Sequence, residues 1–337
     1  MNERVRGAAG CLVLAAICAV LPGCGMRQKP EEPAETAHDY IEIGFSEVGA
    51  ESDWRVAHSE SMRNTFTEEN GYELLFEDAR QKQENQIAAI RDFILQEFDY
   101  IVVAPVIETG WDEVFREAKD AGIPVIVVDR MVELEDDSLF TAWVGSDFHN
   151  EGVMAMEWLD GYLKEQGRGE DEIAILEIRG TEGASAQLGR TEGLMEGIEA
   201  HDNWTLTGSV QGEFTQAKAC EEVAAVLASG KKPDVIYCEN DDSAFGAIQA
   251  LDEAGISYGF GGDVIIISFD STNAGLTACM EGRINLDVEC NPLHGPRVEH
   301  IIQQLEAGET PDKYWYVDET YFEPDGLTEE LIAAREY

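Results

Sequence analysis

Polar residues able to do chemistry recur in this sequence at one kind of position, directly after short apolar runs. Asp129 and Arg130 follow PVIVV, Asn240 and Asp241 follow DVIYCE, Asp270 follows VIIISF, and Glu289 follows NLDV. Carboxylates, an amide and a guanidinium fork converging on one cleft can accept and donate hydrogen bonds to a polyhydroxylated ligand, and the charged members make the stronger bonds. A phosphate site would call for glycine-rich turns and cations instead. The one glycine-dense piece, GFGG at 259–262, precedes a strand pattern, whereas a phosphate loop follows one. Taken singly, an Asp or Asn after a strand is an ordinary turn or N-cap residue. Their recurrence in both halves of the chain is what points to a site. Trp54, between the polar loop SEVGAESD and a helix pattern, is either core or an aromatic face for an apolar ring surface. Asp129 and Arg130 are adjacent, and neighbours on an extended strand point to opposite faces, so a mutual ion pair is not expected.

These residues need a frame that brings strand ends together. From Tyr40 onward, short β-rich runs alternate with amphipathic stretches, the pattern of βα units and a parallel sheet. A first series comprises YIEIGF, YELLFE, YIVVAP, PVIVVD and FTAWVGSD; a second comprises EIAILEI, WTLTGSV, DVIYCEN, DVIIISFD and INLDVE. Stretches such as 83–98 and 151–166 space their apolar residues by three and four, as helices do. Two similar arrays imply an α/β protein of two similar doubly wound parallel-sheet lobes. Ligands of open parallel sheets bind beyond the carboxyl ends of the strands, so two facing lobes bury a ligand between those ends.

Composition narrows the partners. The 337 residues carry 23 Lys plus Arg against 68 Asp plus Glu, a net charge of −45. That charge opposes nucleic-acid binding and electrostatic docking on anionic lipid. A hydrophobic fraction of 44% excludes a disordered acidic tail. The acids are spread along the whole chain, as in proteins that stay soluble in a salty medium, rather than gathered in a patch.

Arg4 and Arg6 precede the apolar run 8–21, and a short basic segment before such a run describes an export signal, residues 1–23. The run is short for a membrane span. It ends in LPGC, which resembles the lipobox of bacterial lipoproteins and makes Cys24 a candidate lipid anchor, although Pro22 departs from the usual residue there and leaves cleavage at an ordinary site as the alternative. Residues 24–39 then read as the anchor and a flexible tether rich in Pro and Glu. Cys220, Cys238, Cys279 and Cys290 remain; four cysteines allow three pairings, and their spacing matches no zinc pattern. Cys238, in an apolar run, reads as a buried free thiol. The six His are scattered and read as structural or surface. No cofactor and no metal are expected.

Several segments, in order, resemble the sugar receptors of the periplasmic-binding-protein type I family, and among them the galactofuranose-binding type of ABC importers. They are GFSEVGAESDWR, QKQENQIAAIRDFI, APVIETGWDEVFREAKDAGIPV, RGTEGASAQLGRTEGL, GEFTQAK, ENDDSAFGAIQALDEAG and VECNP, between about Ile41 and Pro324. The resemblance implies a three-strand hinge, with crossings near Asp147, Cys290 and Tyr316. The first lobe would take 40–146 plus about 291–315, and the second 147–290 plus about 316–337. It also implies cleft roles for Trp54, Arg55, Asp129, Arg130, Arg190, Phe214, Asn240, Asp270 and Glu289, with Lys82, Gln83 and Thr109 as neighbours. Glu47 stands where an amide is expected and Cys290 where an apolar residue is. The implied partners are a monosaccharide and a membrane ABC permease, with no nucleic acid, and the receptor is expected to be monomeric.

Three other classes share features of this pattern. A sensor would present the same closure to a membrane kinase or chemoreceptor. A repressor needs a basic DNA-binding helix pair where the signal and tether stand. A sugar hydrolase would use two of Asp129, Asp270 and Glu289 as acid and base.

Overall fold

The computed structural model describes residues 40–337; the export signal, Cys24 and the tether lie outside the described residues. The first sheet is built from β1 (Ile41–Glu47), β2 (Tyr72–Asp78), β3 (Tyr100–Val103), β4 (Val125–Val128) and β5 (Ala142–Gly145). The second is built from β6 (Ile173–Arg179), β7 (Trp204–Gln211), β8 (Val235–Cys238), β9 (Ile265–Asp270) and β10 (Leu286–Glu289). Two short strands close the far edges, β11 (Tyr314–Tyr316) beside β5 and β12 (Tyr321–Phe322) beside β10. The orders are β2-β1-β3-β4-β5-β11 and β7-β6-β8-β9-β10-β12, so the two sheets repeat one topology. All pairings are parallel except β10 with β12.

The central strands are apolar without interruption because both of their faces are covered. On one face of the first sheet Ile43, Phe45, Val102 and Ile126 meet Met62 of α1 (Asp53–Thr65) and Ile301 of α9 (Gly295–Glu306). On the other, Ile101, Val103 and Val127 meet Phe93 of α2 (Gln83–Leu95) and Phe115 of α3 (Asp112–Ala121). The second sheet is covered on one face by α6 (Gln216–Ala228), α7 (Asp241–Ala254) and α8 (Asn273–Met280). Its other face packs on α4 (Phe148–Glu165) and α5 (Ser185–Glu199). A short α10 (Glu329–Ala333) is the last helix in chain order.

The chain passes between the sheets three times, from β5 to α4, from β10 to α9, and from β11 to β12. The first sheet thus takes back α9 and β11 after the second has been built. Neither β11 nor β12 stands out in the sequence, since YWY and YF are short, half-exposed edge strands with no buried face to impose a pattern.

Helices α4 and α5 approach closely at two glycines. A Cβ on Gly193 would lie 2.6 Å from the Val153 nitrogen and 2.7 Å from the Gly152 carbonyl carbon. Backbone atoms cannot yield as a side-chain end can, so this approach sets how near Glu151 and Arg190, one on each helix, come to one another. Gly193→Ala is expected to cost about 1–3 kcal/mol of stability by overpacking, read as a lower midpoint of urea unfolding at unchanged slope.

Candidate functional site

The carboxyl ends of the two sheets face a pocket of about 310 Å³ free of protein atoms, part of it open to solvent. Eight of the nine residues expected at the cleft line it: Trp54, Arg55, Asp129, Arg130, Arg190, Phe214, Asn240 and Asp270. Glu289 does not. Its Oε1 accepts from Arg335 Nη2 at 2.8 Å and from the Tyr337 hydroxyl at 2.9 Å, so the end of the chain claims it. Gln83 also lies elsewhere, its amide donating to the Thr109 carbonyl at 2.6 Å, and Lys82 precedes α2 on the exposed surface. Glu51, Ser52, Phe148, Ala186 and Cys290 complete the lining.

In the first lobe the loop after β1 and the N-terminus of α1 deliver Arg55. Ser52 caps α1 by accepting from the Arg55 backbone N–H. The Arg55 guanidinium then donates to Asp129 Oδ2 at 2.7 Å, Glu51 Oε1 at 3.1 Å and Glu47 Oε1 at 3.2 Å. His58 Nδ1 lies 2.6 Å from the other oxygen of Glu47. Burial pushes the Glu47 carboxyl up, but His58 and Arg55 outweigh it and hold the group below its usual value. The acid standing where an amide was expected is therefore explained by the arginine and histidine packed on it.

Asp129 sits just past β4 with φ 61°. This left-handed backbone is uncommon outside glycine and breaks the strand alternation that would separate Asp129 from its neighbour. Contrary to the expectation of opposite faces, Arg130 Nε lies 3.8 Å from Asp129 Oδ2. The Asp129 carbonyl accepts from the Trp143 indole at 3.0 Å, and its N–H donates to the Val144 carbonyl at 2.8 Å, which hold the unusual conformation. Burial raises the Asp129 pKa; Arg55 and Arg130 more than reverse that and bring it to about 2.

The second lobe repeats the device with different parts. Arg190 of α5 donates from Nε to Glu151 Oε2 at 2.7 Å and from Nη1 to the Glu239 carbonyl, and its Nη2 lies 3.8 Å from Asp270 Oδ1. Its guanidinium also covers the Phe269 ring at 4.8 Å. Asp270, like Asp129, has a positive φ, here 115°. Burial drives its carboxyl well above the usual range, and Arg190 only partly offsets burial and the nearby acids Asp241, Asp242 and Glu151. Each lobe therefore sets an arginine–aspartate pair at the pocket, with the Asp129 carboxyl held low by two guanidiniums and the Asp270 carboxyl pushed up by burial.

Aromatic rings frame these charges. The Trp54 indole N–H donates to the Cys290 carbonyl at 2.6 Å, fixing the ring from the first lobe against a lobe crossing. Trp54 packs with Phe148, Ala184, Ala186, Phe214 and Cys290, so it is both core and pocket wall. Phe214, at φ 58°, lays its ring on Gly180, where any Cβ would strike it. Asn240 caps α7 by accepting from the Ser243 N–H at 3.0 Å, and its amide donates to the Phe214 carbonyl at 3.2 Å. The lobes also touch at the cleft rim, where Met131 N–H donates to Ser185 Oγ at 2.8 Å and Glu108 N–H to the Gly183 carbonyl at 3.0 Å. Cys220, Cys238, Cys279 and Cys290 are free thiols, Cys238 fully buried.

Two parallel-sheet α/β lobes with a charged, aromatic-walled cleft at their strand ends define the class. The chain belongs to the periplasmic binding protein family, whose periplasmic binding protein domain matches residues 43–288. It is 37% identical over 296 residues to the galactofuranose-binding protein YtfQ of Escherichia coli (strain K12), covering 86% of this chain and 90% of that one. A Mycobacterium smegmatis protein solved in complex with β-D-fucofuranose is 37% identical, covers 85% of this chain and 92% of its own, and superposes with a TM-score of 0.81. The periplasmic binding protein of the arabinose ABC transporter from Shewanella sp. ANA-3, bound to L-arabinofuranose, is 38% identical with a TM-score of 0.79. That match covers 88% of this chain and 94% of the other. No helix among the described residues is long and apolar enough to cross a membrane.

The depressed Asp129 pKa carries a stability consequence. Folding favours its ionised form, so the stabilisation is present above the unfolded value of 3.8 and is lost as pH falls toward about 2. Asp129→Asn is expected to lower stability by about 2 kcal/mol at neutral pH. Urea melts should show the gap to the parent protein shrinking steadily below about pH 4.

Proposed function

We propose that the protein is the extracytoplasmic substrate-binding component of a carbohydrate ABC transporter, and that it captures a monosaccharide in its furanose form between the lobes. The observation that carries this is the donor and acceptor set at the cleft. Guanidinium groups come from both lobes, with the Asp129 carboxyl on one side and the Asp270 carboxyl on the other, under Trp54, Phe148 and Phe214. Sugar hydroxyls are donors and acceptors at once, and such a set satisfies both roles while the aromatic rings cover the apolar faces of the ring. The furanose assignment follows the relatives that bind fucofuranose and arabinofuranose.

A sugar held by Arg55, Asp129 and Arg130 from one lobe and by Arg190 and Asp270 from the other makes more contacts when the lobes are together. That difference in affinity is what shifts the population toward closure. The closed form then offers a permease a surface that the open form lacks. The cleft acids grip and do not cleave: Asp129 is committed to guanidinium pairs, and Glu289 is turned toward Arg335 and Tyr337. Residues 1–23 would export the chain, and lipidation of Cys24 would hold it at the membrane as a monomer on the 24–39 tether.

Calorimetric titration with L-arabinose tests the site. Asp129→Ala leaves Arg55 buried without its nearest carboxylate and removes an acceptor for hydroxyls, and it is expected to weaken binding about 100-fold or more. Binding by Asp129→Ala within about threefold of the parent protein would overturn the assignment.

A further inference from the structure

The three passages between the lobes meet at one cluster, buried at Ser146, Glu151 and Cys290 and half-buried at Asn291 and Glu319. Ser146 lies on the first passage, Cys290 and Asn291 on the second, and Glu319 on the third, beside Glu151 of α4. Glu319 Oε1 accepts from Ser146 Oγ and from the Asn291 N–H, each at 2.7 Å, and Ser146 Oγ lies 3.4 Å from Cys290 Sγ. A carboxylate oxygen of Glu151, one of Glu319 and Cys290 Sγ all fall within 4.8 Å of one another. Glu151 Oε2 accepts from Arg190, while its buried Oε1 makes no well-formed hydrogen bond and has Cys290 and Glu319 as its near side-chain neighbours. Two carboxyl groups this close, one buried and one half-buried, disfavour a second negative charge beside one guanidinium, on which Asp270 also draws. A proton on Glu319 would give Glu151 a donor stronger than the neighbouring Cys290 thiol.

We infer that Glu319 is a positioning residue of the proposed sugar site: it holds a proton shared with Glu151, leaves Glu151 a single charge with which to orient Arg190, and ties the three lobe crossings together. The inference rests on the sugar-binding reading only for its effect on affinity. Burial first, and then the Glu151 charge, push the Glu319 carboxyl up to about 9, against the pull of Asn291, Ser146 and Arg190. Burial likewise raises Glu151 and the Cys290 thiol. The other charged groups that act on this cluster are Asp270, through Arg190 and Cys290, and the bonded Glu289, Arg335 and Tyr337 group, whose Tyr337 feels Cys290.

The sign follows from linkage. The unfolded chain releases this proton near 4.5 and the folded protein keeps it to about 9, so the group's contribution to stability falls with rising pH between those values. Glu319→Gln preserves the shape, offers an amide N–H to Glu151 and has no proton to lose. Its thermal midpoint is expected to match the parent's near about pH 5 and to rise progressively above it toward about pH 9. The carbonyl stretch of a protonated carboxyl, seen by infrared spectroscopy in the parent, should be weaker in the variant. Affinity for L-arabinose should fall about tenfold in the parent between about pH 8 and pH 10 and stay flat in Glu319→Gln. Should that variant not fold, Ser146→Ala removes a bond to the ionised form and is expected to move the alkaline loss of affinity to higher pH.

A midpoint difference independent of pH, or an alkaline loss unmoved by Ser146→Ala, overturns the shared proton. So does stoichiometric cadmium binding with a thiolate-to-metal absorption band that is lost in Cys290→Ser, which would assign the cluster to a metal. The melting and infrared measurements use no ligand, so their failure is distinguishable from failure of the sugar reading.

Discussion

Burying guanidinium groups is the constraint on which this molecule turns. Arg55, Arg130 and Arg190 are each 3% exposed or less, and an ion moved out of water must recover its hydration from fixed partners. The protein supplies them from helix N-termini and strand ends: Glu47, Glu51 and Asp129 around Arg55, and Glu151, Asp270 and a backbone carbonyl around Arg190. The left-handed backbone at Asp129, the glycine contact between α4 and α5, and the capping of α1 all serve to hold these partners in place. A cleft whose cations are fixed before a ligand arrives loses little order on binding.

The contrast with the rest of the chain has a physical use. Against 68 acidic residues the protein carries only 23 Lys and Arg, and it spends three of them where they are hidden from solvent. An acidic exterior keeps the molecule soluble and repels anionic surfaces. The interior of the cleft, balanced between carboxylates and guanidiniums, is left free to recognise a neutral polyol.

The sheets were legible in the sequence because strands covered on both faces must be apolar throughout, and runs such as IVV and VIVV admit few other structures. β11 and β12 were not, since an edge strand of two or three residues imposes no pattern. Within the site, the residues that end strands stood out, as did the helix residue Arg190 through family resemblance. Glu51, Phe148 and Ala186 did not, because they reach the pocket from a loop and from helix N-termini, where residue type follows no period. Asp129 and Arg130 were readable as site residues but not as a pair, since the pairing depends on a backbone angle of φ 61° that spacing cannot show. Glu289 looked like a cleft acid because its partners Arg335 and Tyr337 lie 46 and 48 residues away.

The central claim is that the cleft selects a furanose ring and holds it between Asp129 and Arg190. Crystals grown with L-arabinose, which in water is mostly pyranose, test it most directly. The account expects a five-membered ring in the pocket, with hydroxyls on Asp129 and Arg190 and its faces against Trp54 and Phe214. A six-membered ring there, or a sugar bound elsewhere on the molecule, would contradict it.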